Sequence, residues 1–328
     1  INGRIDLTEA EGINDLINAE TEAQRDQGLN QLEGALRLQL EKWSNDLKGF
    51  GAHIEAYIDF PDEQIPENVL SDLLQGLEET NRELIEFVND DRKGEILRSG
   101  LKVAVIGPPN VGKSSFVNWL TKRDIAITSE KAGTTRDIVE AHLDLGGYPV
   151  TVADTAGMRE SEDTIEQEGI RRARSWAESA DLRVLILDPE TAEDASVFSD
   201  ILKSDDPVLM NKADRVTIVK KQTSLVYSLV SVKTGYGLES TLSELTTIAK
   251  KKMGTQKLTM ITQARHRALL NDCLASLREA HYGLRNHADL ELIAEDFRSA
   301  IYCIGRITGH IDVEDLLDVV FKEFCIGK

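Results

Sequence analysis

The chain has 328 residues, a length that favours about two domains. It is 41% hydrophobic but only 5% aromatic, so its core must be mostly aliphatic. Lys and Arg number 38 against 57 Asp and Glu, a formal charge of -19; such a surface repels phosphate backbones, and the main electrostatic footprint on any nucleic acid is expected elsewhere. No apolar run approaches the ~20 residues that span a bilayer, and no signal peptide is read at the start. The chain opens on Ile1 rather than Met, as a fragment or processed product would. Cys273, Cys303 and Cys325 are widely spaced, which suits a reducing compartment and argues against a zinc site or a disulfide framework.

Residues 1–98 read as helices. Thr8 and Glu11 fit a capping box ahead of Ile13, Leu16 and Ile17. Leu29, Leu32, Leu36, Leu40, Trp43, Leu47 and Phe50 recur at spacings of three and four, which predicts one long amphipathic helix, with Arg37 and Glu41 toward solvent. Pro66 can open the next helix, striped by Val69, Leu73, Leu77, Leu84 and Val88. Asp90–Gly94 reads as a charged surface segment.

From residue 99 the period changes. Strands are predicted at 102–106, 138–145, 149–153, 182–188, 206–210 and 225–231, and helices at 113–122, 165–179, 192–203 and 237–251. Gly146-Gly147 offers a tight turn, which would put an antiparallel edge on a parallel sheet. Lys250–Lys252 read as a helix end favoured by the dipole. From 254 helices return, with stripes on Leu269–Leu284, Ile293–Ile304 and Val313–Phe324. The fold class expected is an α/β domain, mostly parallel sheet with helices on both faces, inserted into a discontinuous all-α bundle. Its parts are 1–98, 99–253 and 254–328.

The chemistry starts at Gly107-Pro108-Pro109-Asn110-Val111-Gly112-Lys113-Ser114, set between a predicted strand and a predicted helix. That context makes the pattern a phosphate cradle. Backbone N–H groups from Asn110 to Ser115 converge on an anion, at the positive end of the helix dipole. Lys113 reaches the β- and γ-phosphates and the Ser114 hydroxyl ligates Mg²⁺. Thr134-Thr135-Arg136-Asp137 offers a threonine to Mg²⁺ and the γ-phosphate. Asp154-Thr155-Ala156-Gly157 offers a carboxylate to the metal through water, and a glycine that lets the backbone approach the γ-phosphate. In Asn211-Lys212-Ala213-Asp214 a single carboxylate, Asp214, can accept both adjacent donors of guanine, which adenine lacks. Ser231-Val232-Lys233-Thr234 could bring backbone N–H groups to the guanine O6. The order and spacing select GTP over ATP.

This set resembles the translation-factor-like GTPases. The loop Ala132–Asp137, the helices on both sides, the ending Phe324-Cys325-Ile326-Gly327-Lys328 and the segments Leu7–Glu11 and Ile58–Pro61 resemble the MnmE (TrmE) family of tRNA-modification GTPases. The resemblance implies a P-loop GTPase domain at 99–253. Met158 stands where many GTPases place a water-orienting glutamine, and the resemblance assigns that task to Glu166. It implies a K⁺ ion in place of an arginine finger, held by Asn110 with Ser129, Lys131 and Thr134 of the loop Ser129-Glu130-Lys131-Ala132-Gly133-Thr134, which also lines the nucleotide. It implies a homodimer that completes the K⁺ site. It further implies the flavoprotein partner MnmG, and addition of a carboxymethylaminomethyl-type group to the wobble uridine of tRNA in the cytoplasm. Members normally begin with a folate-binding domain that this chain is expected to lack, so tetrahydrofolate is not carried over to it.

Simpler readings stand beside these. Asn110 is also an ordinary loop residue, and Glu166 lies in an acidic stretch that could be a solvated face. Arg136 and Arg159 could contact phosphate, a partner subunit or only solvent. By resemblance Cys325 lies near the modification site; a free thiol packed beside Phe324 is the alternative. The six histidines show no ligand spacing and read as structural. The rival functions are a GTP-dependent RNA- or ribosome-assembly switch without a modification role, and a dynamin-like membrane scaffold. The first would carry a basic tail and the second a lipid-facing segment, and neither is found.

Overall fold

The computed structural model describes residues 5–59, 67–123, 125, 127, 140–154, 176–189, 197–215, 225–254 and 260–309. The chain divides into two compact units, one made of Ile1–Ala19, Arg25–Arg98 and Thr255–Lys328, the other of Glu20–Gln24 and Ser99–Gly254.

The first unit is helical. Helix α1 (Leu7–Ile17) is capped by Asp6, whose carboxylate accepts from the Glu9 N–H at 2.7 Å, while Glu9 accepts from the Asp6 N–H at 2.9 Å. The capping box is therefore Asp6/Glu9 and not Thr8/Glu11. The same cap-x-x-Glu pattern occurs twice in overlapping frames, and the helix starts on the earlier one. Thr8 instead donates to Asp6, and Glu11 turns to Arg265 and His266.

The long apolar stripe is carried by two helices, α2 (Glu22–Leu32) and α3 (Ala35–Asp59), not one. The break falls at Gly34, whose φ of +82° ends a helix. Leu29, upstream of it, is exposed, while Leu36, Leu40, Trp43 and Leu47 are buried. Arg37 does not simply face solvent: it pairs with Glu9 and Glu41. Helix α4 (Glu67–Val88) brings Leu73, Leu77 and Leu84 to the same core. After α5 (Lys93–Ser99), the rest of this core comes from the far end of the chain.

Asp90–Gly94 is more than a charged surface segment. Asp90 and Glu95 both accept from Arg267 at 2.6 Å, and Gly94 is buried.

The second unit is a six-stranded sheet among the described residues, in the order β2-β3-β1-β4-β5-β6. The strands are β1 (Leu101–Ile106), β2 (Glu140–Leu145), β3 (Tyr148–Asp154), β4 (Leu182–Leu187), β5 (Val208–Met210) and β6 (Ser228–Leu229). All neighbours run parallel except the β2–β3 hairpin, which turns at Gly146-Gly147 as the sequence predicts. Strands β1 and β4 are almost wholly buried, as strands covered on both faces must be. Helices α6 (Lys113–Thr121) and α7 (Leu238–Met253) also belong here, and Lys250–Lys252 fill the last turn of α7.

Three predicted elements are shorter than expected. β5 starts at Val208 because the Asp206 carboxylate is occupied by the Arg183 and Lys203 N–H groups and Pro207 has no N–H to pair. β6 is two residues long, because Ser231 leaves the strand to donate its N–H to Tyr236. The described end of the helix predicted at 192–203 is a 3-10 piece followed by hydrogen-bonded turns over 197–201 rather than α-helix. Of the helix predicted at 165–179, residues 176–179 are described and helical.

In the second half of the helical unit, α8 (Ala264–Arg285) buries Leu270, Cys273 and Leu277, and α9 (Leu290–Thr308) buries Ile293, Phe297 and Ile304. Phe297 meets Phe50 of α3 at 6.1 Å between ring centroids. Each such side chain contributes roughly 1.5–3 kcal/mol on burial. The stripe at Val313–Phe324 lies outside the described residues.

Candidate functional site

The parallel strands β1, β4 and β5 end at one edge of the sheet, where ligands bind in open α/β folds. The segments that follow them are 107–112, 188–189 and 211–214. Between β1 and α6 the chain wraps around the Lys113 side chain. Its ammonium donates to the Gly107 carbonyl at 2.8 Å and the Pro108 carbonyl at 2.7 Å. A buried ammonium needs such partners, and Lys113 is 9% exposed. Asn110 is exposed and left-handed, with φ +62°. Gly112 caps α6 with φ +103° and no side-chain hydrogen bond, so the first-turn N–H groups are not covered by a capping side chain. Ser114 is half-buried in that turn.

The loop that follows β5 is tied to the loop 107–112 by Asn211, which is buried. Its amide Nδ2 donates to the Val111 carbonyl at 2.7 Å, and its Oδ1 accepts from the Val232 N–H at 3.0 Å. One side chain thus joins three loops that are far apart in sequence. The Asn211 N–H donates to Leu187 at the end of β4, and the Ala213 N–H to Val230. A 3-10 turn, Ala213–Arg215, then presents Asp214 at the surface. The fully buried Ser231 donates its hydroxyl to Asp214 Oδ1 at 2.6 Å. That hydrogen bond is the main reason the Asp214 carboxyl is held below the usual carboxylate range, with Lys233 and Arg215 adding to it. Asp214 is therefore an ionised acceptor at neutral pH, as pairing with two N–H donors requires.

The structure brings together Asn110, Val111, Gly112, Lys113, Ser114 and Ser115 with Asn211, Lys212, Ala213 and Asp214 and with Ser231, Val232 and Lys233. Asp154 ends β3 opposite Val105, at the same sheet edge. Ser129–Thr135, Thr155, Ala156, Gly157, Met158, Glu166 and Cys325 lie outside the described residues. Asp188 was not legible as a site residue. It follows β4, is buried, and pairs with Lys212. Its signal was an acid placed directly after an apolar run.

A family model described as the MnmE helical domain matches residues 7–325. The tRNA modification GTPase MnmE of Parvibaculum lavamentivorans is 47% identical over 327 residues, covering 100% of this chain and 74% of the relative. That of Rickettsia bellii is 47% identical over 335 residues with the same coverage. Among solved structures, the G domain of the T. maritima FeoB iron transporter is similar at 25% identity and a TM-score of 0.34, over 45% of this chain and 98% of that one.

Proposed function

The chain belongs to the MnmE family of tRNA modification GTPases, and from that premise we propose how its residues divide the work. A GTPase domain at 99–253 interrupts a helical domain at 1–98 and 254–328. The β- and γ-phosphates of GTP lie in the loop 107–115. Lys113, already aimed by the Gly107 and Pro108 carbonyls, donates to phosphate oxygens, and the N–H groups from Val111 to Ser115 complete the cradle. Asp214 accepts the N1–H and exocyclic amine of guanine, and the backbone of Ser231–Lys233 meets O6. Ser129–Thr135 and Asp154–Gly157 close over the γ-phosphate, and Glu166 orients the attacking water.

The described residues fit hard cations. Ser114 offers a hydroxyl beside the buried Lys113, and the exposed, left-handed Asn110 offers an amide oxygen beside the helix cap. Mg²⁺ would be held by Ser114 and Thr135, with Asp154 through water. K⁺ would be held by Asn110, Ser129, Lys131 and Thr134. Both supply positive charge to phosphate oxygens. The K⁺ site is completed by a second copy of the domain, so turnover follows dimerisation. With the flavoprotein MnmG the cycle serves addition of a carboxymethylaminomethyl-type group at the tRNA wobble uridine, near Cys325.

The observation that supports the guanine reading is the buried Asn211 side chain bridging Val111 and Val232, which ties the loop carrying Asp214 to the loop 107–115. Asp214→Asn tests it. The amide can donate to the second carbonyl of xanthine, so affinity for GTP should fall roughly 10²-fold or more while affinity for xanthosine triphosphate rises. An unchanged preference for GTP would remove Asp214 from the site.

A further inference from the structure

We infer that Asp188 is a positioning residue for the guanine loop: its buried carboxylate grips Lys212 and so holds the backbone that aims Asn211 and Asp214. The inference rests on the guanine reading above. Asp188 is the first residue after β4, and it is 2% exposed. A carboxylate so placed needs a cation, and it accepts from the Lys212 ammonium. The Lys212 side chain is itself only 23% exposed. The strand ends run side by side here: Leu187 pairs with Met210, and the Asn211 N–H donates to the Leu187 carbonyl at 2.7 Å.

Lys212 sits at φ +62°, a left-handed conformation that a lysine adopts only when something holds it. The groups on either side hold further segments. Asn211 holds Val111 and Val232, the Ala213 N–H bonds Val230, and Asp214 takes the Ser231 hydroxyl. The loop is thus pinned to β4 through the Asn211 N–H and the Lys212 side chain, and to the 230–232 segment through the Asn211 side chain, Ala213 and Asp214. Without the charge at Asp188, Lys212 can relax out of the left-handed region. The peptide units on both sides then turn, and Asn211 and Asp214 lose their alignment together. Asp188 acts through Lys212, so its effect should appear in nucleotide affinity and not in the chemical step.

The test uses the whole chain, with the fluorescent nucleotide mant-GDP as probe. Asp188→Asn keeps the shape and removes the charge. It should raise the Kd for mant-GDP about tenfold or more, in the range for losing a hydrogen bond to a charged group. The KM for GTP should rise in parallel and kcat should hold. Lys212→Met should weaken binding similarly, and the double variant should bind no more weakly than Lys212→Met alone. Wild-type affinity in Asp188→Asn, a fall in kcat with Kd unchanged, or losses that multiply in the double variant would overturn the inference. If Asp188→Asn does not fold, wild-type affinity in Lys212→Met overturns it equally. The underlying reading has its own control. A wild-type protein indifferent between GDP and ADP would sink the guanine assignment, whereas guanine preference with an inert Asp188 sinks only the role proposed for Asp188.

Discussion

Gly112 shows at the scale of one residue how tightly the loops 107–112 and 211–214 are joined. A Cβ there would lie 2.4 Å from the Asn211 Nδ2, and the backbone holds φ at +103°. Alanine must move Asn211 and strain the turn, at a cost of order 1–3 kcal/mol. Gly112→Ala is therefore expected to raise the Kd for GDP at least about tenfold while the far-ultraviolet circular dichroism is kept. Near wild-type affinity by titration calorimetry would show that Asn211 is not the link between the loops. The motif residues stand out in the sequence because each spacing matches a demand a nucleotide would make: glycines for close approach, a lysine for phosphate, a carboxylate for two donors. The bridge itself was not. Asn211 finds Val111 from 100 residues away, and Glu11 finds His266 from 255 residues away. No local pattern marks such partners: the motif names Asn211 but not its link to Val111, and His266 reads as structural.

At the scale of elements, hydrophobic period named the helices and strands well and their ends poorly. The stripe from Leu29 to Phe50 keeps helical spacing across Gly34, so it reads as one helix. Only the left-handed glycine, with φ +82°, breaks it into α2 and α3. A glycine so placed is required by the backbone, and an added Cβ would also crowd the Arg37 guanidinium at 3.1 Å. Gly34→Ala should cost about 1 kcal/mol or more, seen as a lower urea midpoint with an unchanged slope. A gain in stability would mean that a continuous helix is the better structure. The same limit explains α1, where two overlapping capping patterns compete and Asp6 wins over Thr8. It also explains β5 and β6, whose ends are set by the Asp206 carboxylate and by Ser231.

At the scale of the whole molecule, a chain of net charge -19 keeps two of its carboxylates deep in ion pairs of the helical unit. Burial pushes Glu11 up, but hydrogen bonds from His266 and Arg265 outweigh it, and its carboxyl ends below the ordinary 4.5. Glu95 follows the same balance: burial raises it, and Arg92 and Arg267 bring it lower. A carboxyl depressed by folding stabilises the native state above its unfolded pKa, and that stability is lost as pH falls through the folded value. Unfolding free energy should thus decline as pH drops below 4.5. Glu11→Gln should lose roughly 1–3 kcal/mol at pH 7 and show a shallower acid decline, read from urea titrations across pH. Parallel curves for the two proteins would contradict the assignment. The proposed function has this GTPase become catalytic when a monovalent cation and a second copy complete its site. GTP turnover per chain, measured in K⁺ and in Na⁺ over a range of protein concentration, tests it most directly. Turnover in K⁺ should rise with concentration, and turnover in Na⁺ should be slow and independent of concentration. Equal rates in the two salts at every concentration would contradict it.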